Sequence, residues 1–115
     1  MENLSETQPA YRKATGKRAT SMASQGTGAN LVSSFQLAGS TWSVQLSSDI
    51  TEMGYCDSEC NVIKIRSNLS DQARQATFYH ELIHAILFTM GQTNHNEEFV
   101  DTFGGFMHQF MNTKE

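Results

Sequence analysis

Apolar and polar residues alternate along residues 41–46 (TWSVQL) and 61–66 (NVIKIR), which is the period of a half-buried β-strand. A shorter strand is predicted between them, over residues 53–56. The turn-forming sequence DSE follows that strand, so it joins the second and third strands into a hairpin. The pattern therefore predicts a small antiparallel sheet of about three strands, and the ordered structure begins near Phe35.

The pattern becomes helical after Ser70, which is a typical N-cap residue. The helical pattern continues over residues 71–90, and Gly91 is a suitable C-terminal stop. A second helix is predicted over residues 97–111. Its apolar side chains recur at helical spacing and predict a stripe that packs into the core, made of Phe99, Val100, Phe103, Phe106, Met107 and Phe110.

Large apolar side chains are distributed unevenly along the 115 residues. Residues 1–34 hold few of them, whereas residues 35–111 carry Trp42 and all seven phenylalanines. A segment that buries so little apolar surface cannot offset the entropy of ordering its backbone. We therefore predict a disordered, low-complexity tail over residues 1–34. We predict one α+β domain over residues 35–115, in which a small sheet supports a long central helix and a closing C-terminal helix.

The charge is divided in the same way as the apolar residues. Residues 1–34 carry four basic and two acidic side chains, and the remainder carries four basic and ten acidic side chains. An acidic domain is poorly suited to bind a phosphate backbone, so we do not expect a nucleic-acid partner. The sequence has neither an apolar run of 18 residues nor the apolar core of a secretory signal. We expect a cytoplasmic protein without a membrane span.

Cys56 and Cys60 are the two cysteines of the chain. Their spacing across a hairpin loop is short enough for a disulfide, but two cysteines are too few for a disulfide scaffold. A zinc knuckle needs two further ligands, which the neighbouring sequence does not offer. We therefore predict two unpaired thiols on either side of the loop.

Two histidines and a glutamate lie in the middle of the otherwise apolar long helix, in the segment FYHELIHAILF (residues 78–88). His80 and His84 are four residues apart, so they project from one helix face and can bind the same ion. Glu81 lies about 100° around the helix from His80, where it reaches a metal-bound water without binding the metal. This His-Glu-x-x-His pattern is typical of zinc-dependent peptide hydrolysis with the glutamate as general base. The alternative, two core histidines bonded only to backbone, is disfavoured because burying unpartnered imidazoles is costly.

A catalytic zinc ion takes three protein ligands and leaves a fourth position for water. The candidates for the third ligand follow the long helix: His95, Glu97, Glu98 and Asp101. We favour Glu97, which lies nearest the apolar stripe on a helical wheel, followed by His95 and then Glu98. For Glu98 and Asp101, a solvated acid that complements the helix dipole is the better interpretation.

From residue 54 to about residue 111 the chain resembles the short ImmA/IrrE-like metallopeptidases, many of which are encoded by phages and mobile elements. The segments that carry the resemblance are VIKIRSNLSD, TFYHELIHAILFTMG and HNEEFVDTFGGFMHQF. The resemblance implies a minimal zincin-like fold and a Zn²⁺ cofactor held by His80, His84 and Glu97. It also implies that Glu81 is the general base and that the substrate is a protein or peptide in a bacterial host cell. The DNA-binding and substrate-recognition domains of larger members have no counterpart here.

A second resemblance is to the SprT-like proteases, which share the HExIHAxLF pattern and take a third histidine from a His-x-x-x-Phe segment. The sequence HNEEF (residues 95–99) has that form and implies His95 as the third ligand. The loop before it is shorter than expected for that family, and the acidic domain lacks a DNA-binding surface. We therefore rank this resemblance second.

The predicted function is zinc-dependent peptide hydrolysis, and we expect an extended substrate to add to the sheet along strand 41–46. The alternative is a catalytically silent protein in which zinc stabilises a small core and the surface binds a phage or host partner. Glu81 distinguishes the two functions, because a purely structural zinc site does not need it.

Overall fold

The computed structural model describes residues 31–115, and it confirms the predicted α+β architecture. The elements are four strands, β1 (Ser34–Leu37), β2 (Ser40–Ser47), β3 (Gly54–Asp57) and β4 (Val62–Arg66), followed by two helices, α1 (Asp71–Thr89) and α2 (Glu97–Thr113). Residues 1–30, which form most of the predicted tail, lie outside the described residues. No helix in the described range is long and apolar enough to cross a membrane.

The sheet differs from the predicted one in strand number and in direction. Within residues 31–115 it has four strands in the order β1-β2-β4-β3. β2 and β4 are parallel, with Val44 opposite Ile63, whereas the two outer pairs are antiparallel. β1 and β2 form a tight hairpin through Ala38 and Gly39, both of which have positive φ. The prediction of an all-antiparallel sheet was wrong because alternating apolar residues look the same in parallel and antiparallel strands.

Alternation along the strands places one face of the sheet against α1. The shared core contains buried side chains from three strands and the helix: Trp42, Cys56, Ile63, Ile65, Phe78 and Ala85. The ring of Phe35 stacks on Trp42 and meets the edge of Phe78, so the first strand also covers this core. The residues of the His-Glu-x-x-His pattern therefore lie on a helix that is anchored by the sheet.

The ends of α1 follow the predicted signals. The Ser70 hydroxyl accepts a hydrogen bond from the backbone N–H of Ala73 at 3.1 Å, as an N-cap residue does. Met90 caps the other end, and Gly91 follows with a φ of 88°. Because glycine tolerates positive φ, the chain turns sharply here and returns as α2.

Only part of the apolar stripe of α2 packs into the core as predicted. Val100 and Gly104 are buried on the side that packs against α1. The phenylalanines lie on another side of the helix and are exposed: Phe99 by 48%, Phe103 by 43%, Phe106 by 65% and Phe110 by 60%. Helical periodicity identifies an apolar face, but it does not show whether another element covers that face.

Gly104 sets how closely the two helices approach. A Cβ at this position would lie 3.0 Å from the His80 Cα and 3.2 Å from the Tyr79 carbonyl oxygen. Contacts of this kind with backbone force the helices apart. Gly105, by contrast, has no atom within 4 Å of the equivalent Cβ position. An alanine at position 104 would therefore contact the backbone of α1, whereas an alanine at position 105 would point into open space.

We expect Gly104→Ala to destabilise the fold by about 1–3 kcal/mol, because the added methyl group overpacks the contact with α1. Gly105→Ala is the matched control, and it should stabilise the protein by about 0.5–1 kcal/mol because alanine favours a helix interior. Urea unfolding of both variants measures the two effects. Equal stabilities would contradict the close approach of α2 to α1.

Candidate metal centre

The structure brings His80, His84 and Glu97 together at the contact between the two helices. One potential ligand atom from each residue lies within 4.8 Å of the other two. The His80 Nε2 atom is 3.4 Å from one carboxylate oxygen of Glu97, and the His84 Nε2 atom is 3.3 Å from the other. These three side chains form a group that can hold a metal ion.

Local structure explains why Glu97 faces the two histidines. Asn96 caps α2 by accepting a hydrogen bond from the backbone N–H of Phe99 at 2.9 Å, so Glu97 is the first residue of the helix. The close packing at Gly104 holds α2 against the backbone of α1 at His80. Glu97 therefore comes from a different element than the histidines but reaches the same point.

The other nitrogen of His80 also has a partner. The Nδ1 atom of His80 lies 3.3 Å from a carboxylate oxygen of Asp101, one turn further along α2. A carboxylate that accepts the Nδ1 proton leaves the Nε2 lone pair directed at the metal position. Asp101 was one of the sequence candidates for the third ligand, and the structure places it behind His80 instead.

His95 occupies the corresponding position behind His84. The two Nδ1 atoms are 2.6 Å apart, and the His95 Nε2 atom is 2.7 Å from the backbone carbonyl oxygen of Gln92. Both ring nitrogens of His95 are thus engaged away from the group of three ligands. Glu98, the remaining candidate, is exposed and does not belong to this group within the described residues.

A series of contacts runs from the backbone carbonyl of Gln92 through His95 and His84 to Glu97. A carbonyl oxygen ends the series on one side and a carboxylate ends it on the other. Burial lowers the pKa of His84, which opposes a positive charge on that ring. A metal ion between the His84 Nε2 atom and Glu97 would take the place of a proton at that contact.

The charge state of Glu97 supports the same arrangement. Its hydrogen bonds with His80 and His84 hold the pKa of this carboxyl well below its usual range. Glu97 is therefore a carboxylate that presents negative charge to two imidazole nitrogens. Without a metal these contacts need protons on the imidazole nitrogens: burial lowers the pKa of His80, but its hydrogen bonds with Glu97 and Asp101 raise it above the usual value. A divalent transition metal would replace those protons, because neutral imidazole nitrogens and a carboxylate oxygen are ligands that it binds.

Glu81 follows His80 on α1 and interacts electrostatically with His80 and Glu97, but its environment differs from theirs. Its side chain is buried, with 5% exposed, and its Oε1 atom has no hydrogen-bond partner among the described residues. Burial raises the pKa of Glu81 to about 8. A Cβ added at Gly54 would lie 3.3 Å from the Glu81 Cγ, so the start of β3 passes directly next to this carboxyl group.

Two features of the site were missed by sequence reasoning. The first is the contact of His95 with His84, which depends on how the loop folds back against α1. The second is the close approach at Gly104, although a Gly-Gly pair within a helix is a signal of such an approach. Cys56 is buried and Cys60 is exposed, and both are free thiols, as predicted.

No protein-family model, no curated protein and no solved structure matches this chain. The resemblances to ImmA/IrrE-like and SprT-like proteases therefore stay predictions from the sequence motifs. The site itself defines a class: an α+β domain with a His, His and carboxylate group at a helix contact and a buried glutamate beside it.

Proposed function

We propose that this protein is a zinc-dependent metallopeptidase that hydrolyses peptide bonds with Glu81 as general base. The observation that supports the proposal is the buried Glu81 carboxyl, which follows His80 on α1 and interacts electrostatically with both His80 and Glu97. Three protein ligands with a carboxylate next to them are the arrangement of a catalytic site rather than a closed structural one.

The chemistry of the donor set supports zinc, which binds imidazole nitrogens and carboxylate oxygens. One potential ligand atom from each of the three residues lies within 4.8 Å of the other two. His80, His84 and Glu97 would hold the ion, and the fourth position would remain for water.

When bound, zinc supplies a Lewis acid that polarises the scissile carbonyl and lowers the pKa of water. Glu81 accepts a proton from the attacking water at a carboxylate oxygen and returns it to the nitrogen of the leaving amine. Burial by itself would keep this carboxyl mostly protonated at neutral pH, because it raises the pKa of Glu81 to about 8. A bound divalent cation would lower that pKa and favour the carboxylate form that a general base needs.

We propose that an extended substrate adds along β3. The strand predicted for this role from the sequence, β2, cannot serve because β1 and β4 pair with it on both sides. β3 pairs only with β4 within the described sheet, so its other edge has unpaired backbone groups. Gly54 at the start of β3 adjoins Glu81, which would place a substrate on this edge close to the general base.

We also propose membership of the ImmA/IrrE-like metallopeptidases, with a phage or mobile element as the source of the gene. The position of Glu97 opposite both histidines supports this family. The SprT-like alternative requires His95 as a ligand, and both nitrogens of that ring are engaged with His84 and with the carbonyl of Gln92.

The test is cleavage of a diverse peptide library by the full-length chain after loading with one equivalent of Zn²⁺, with mass spectrometry of the products. We expect cleavage that is lost on chelation and restored by zinc. Failure to bind one zinc ion per chain would contradict the metal centre. Tight zinc binding without cleavage of any peptide or protein substrate would contradict the peptidase and support the non-catalytic interaction protein.

A further inference from the structure

Four phenylalanines form a continuous exposed row along α2, which we name the aromatic ridge: Phe99, Phe103, Phe106 and Phe110. Successive members are four, three and four residues apart, which is the spacing of the core positions of a coiled coil. Phe99 and Phe103 contact each other edge to face, with ring centroids 5.6 Å apart. The ridge is thus an ordered apolar seam.

The aromatic ridge plays no part in the candidate metal centre. Glu97, Val100 and Gly104 lie on the side of α2 that meets α1, and the ridge lies on a different side of the same helix. No Asp, Glu, Lys or Arg occurs from residue 102 to residue 113. Surface helices normally carry such charges, whereas the centres of protein interfaces lack them and are enriched in aromatic residues.

We propose that the aromatic ridge binds the ridge of a second copy of this chain, with the two α2 helices antiparallel. A twofold axis between Phe103 and Phe106 would place each of them opposite the other in the partner copy. A neutral apolar row is complementary to itself, as a twofold interface requires. Antiparallel packing of two helices through core positions is the geometry of a coiled-coil pair.

The helix dipoles favour the antiparallel arrangement. Parallel helices would place like ends of their dipoles side by side, whereas in an antiparallel pair the two helix dipoles oppose. Asp101 faces His80, and Lys114 is followed by Glu115, so the orientation rests on the dipoles and not on ion pairs across the ridge.

The exposed area of the ridge indicates how strong this contact is. A fully buried aromatic side chain covers about 150–250 Å², so four rings that are each about half exposed offer about 400 Å² per copy. The pair would bury about 800 Å² plus the area of flanking side chains, which is below the roughly 1,200 Å² of standard specific interfaces and matches a weak, transient contact. We therefore expect a reversible dimer whose population rises with protein concentration.

Residues 1–30 are a less suitable partner for the ridge. They contain no Phe, Trp, Ile or Val, and their large apolar residues are one leucine, one tyrosine and two methionines. Such a segment has no apolar repeat that matches four regularly spaced rings. A second copy carries the same four phenylalanines at the same spacing.

The experiment is sedimentation equilibrium of the full-length chain over a range of concentrations, with Phe103→Glu, Phe106→Glu and Asn112→Glu variants. Asn112→Glu adds the same charge to the far side of α2 and is the matched control. We expect the wild type and the control to dimerise, and each ridge variant to weaken the dimer by roughly thirtyfold or more. Circular dichroism and zinc content should be unchanged, since the replaced rings are exposed and distant from the ligands.

Three outcomes would overturn the proposal. The first is a wild type that stays monomeric up to millimolar concentration. The second is a dimer that the ridge variants do not weaken, which would place the interface elsewhere. The third is a monomer that dimerises only after removal of residues 1–30, which would identify that segment as the occupant. None of these results depends on peptidase activity, so they test the dimer separately from the proposed function.

Discussion

Glu81→Gln is expected to reduce peptide hydrolysis by roughly 10²- to 10⁴-fold, the usual contribution of a general base. Glutamine has nearly the same shape as glutamate but cannot accept the proton of the attacking water. Glu81 is not among the three side chains that form the metal-binding group. Zinc should therefore still bind at one ion per chain, and kcat should fall while the metal content stays constant.

Glu98→Gln is the matched control for this experiment, because it makes the same chemical change at an exposed position outside the metal-binding group. Its activity and zinc content should equal those of the wild type. Activity that survives Glu81→Gln would show that another group takes the proton, and the proposed mechanism would then be wrong. Loss of zinc from the Glu81→Gln variant would show instead that Glu81 is a ligand.

Glu97→Ala is expected to remove most of the zinc affinity, because it deletes one of three protein ligands. His95→Ala should have a smaller effect, about 10- to 100-fold, which is typical of residues that orient a ligand through a hydrogen bond. Glu98→Ala should have none. Competition with a chelator of known affinity, measured on the three purified variants, gives the order of the effects.

His95→Gln provides a further control in this series. A glutamine side chain carries both a donor and an acceptor, so it can replace part of the contact between His84 and the carbonyl of Gln92. We expect it to recover part of the affinity that His95→Ala loses. If His95→Ala abolished zinc binding and Glu97→Ala did not, His95 would be the third ligand, as in the SprT-like interpretation.

The sheet shows the limit of local patterns. Alternating side chains predict strands over residues 41–46 and 61–66; the first segment lies within β2, and β4 covers residues 62–66 of the second. Their parallel pairing was not recognised, because it depends on β3 crossing to the outer edge and returning as β4. That path is set by packing against α1, which involves residues far away in the sequence.

The phenylalanines of α2 show a related limit of sequence patterns. Their spacing identified a helix and an apolar face, and both are present. Their exposure could not be anticipated, because Val100 and Gly104 on another side of the helix make the contact with α1. When one helix has two apolar faces, its sequence does not indicate which face packs against the rest of the chain.

The sequence by itself determined the two helices, the caps of α1 and the placement of His80, Glu81 and His84 around one helix, since these features depend on residues at most four positions apart. Only the tertiary structure decided which residue faces the two histidines, because α2 has to return across α1 at a fixed distance. That return brings Glu97 to the metal position and leaves His95 behind His84. It also leaves the aromatic ridge at the surface, because exposure depends on which distant elements cover a face.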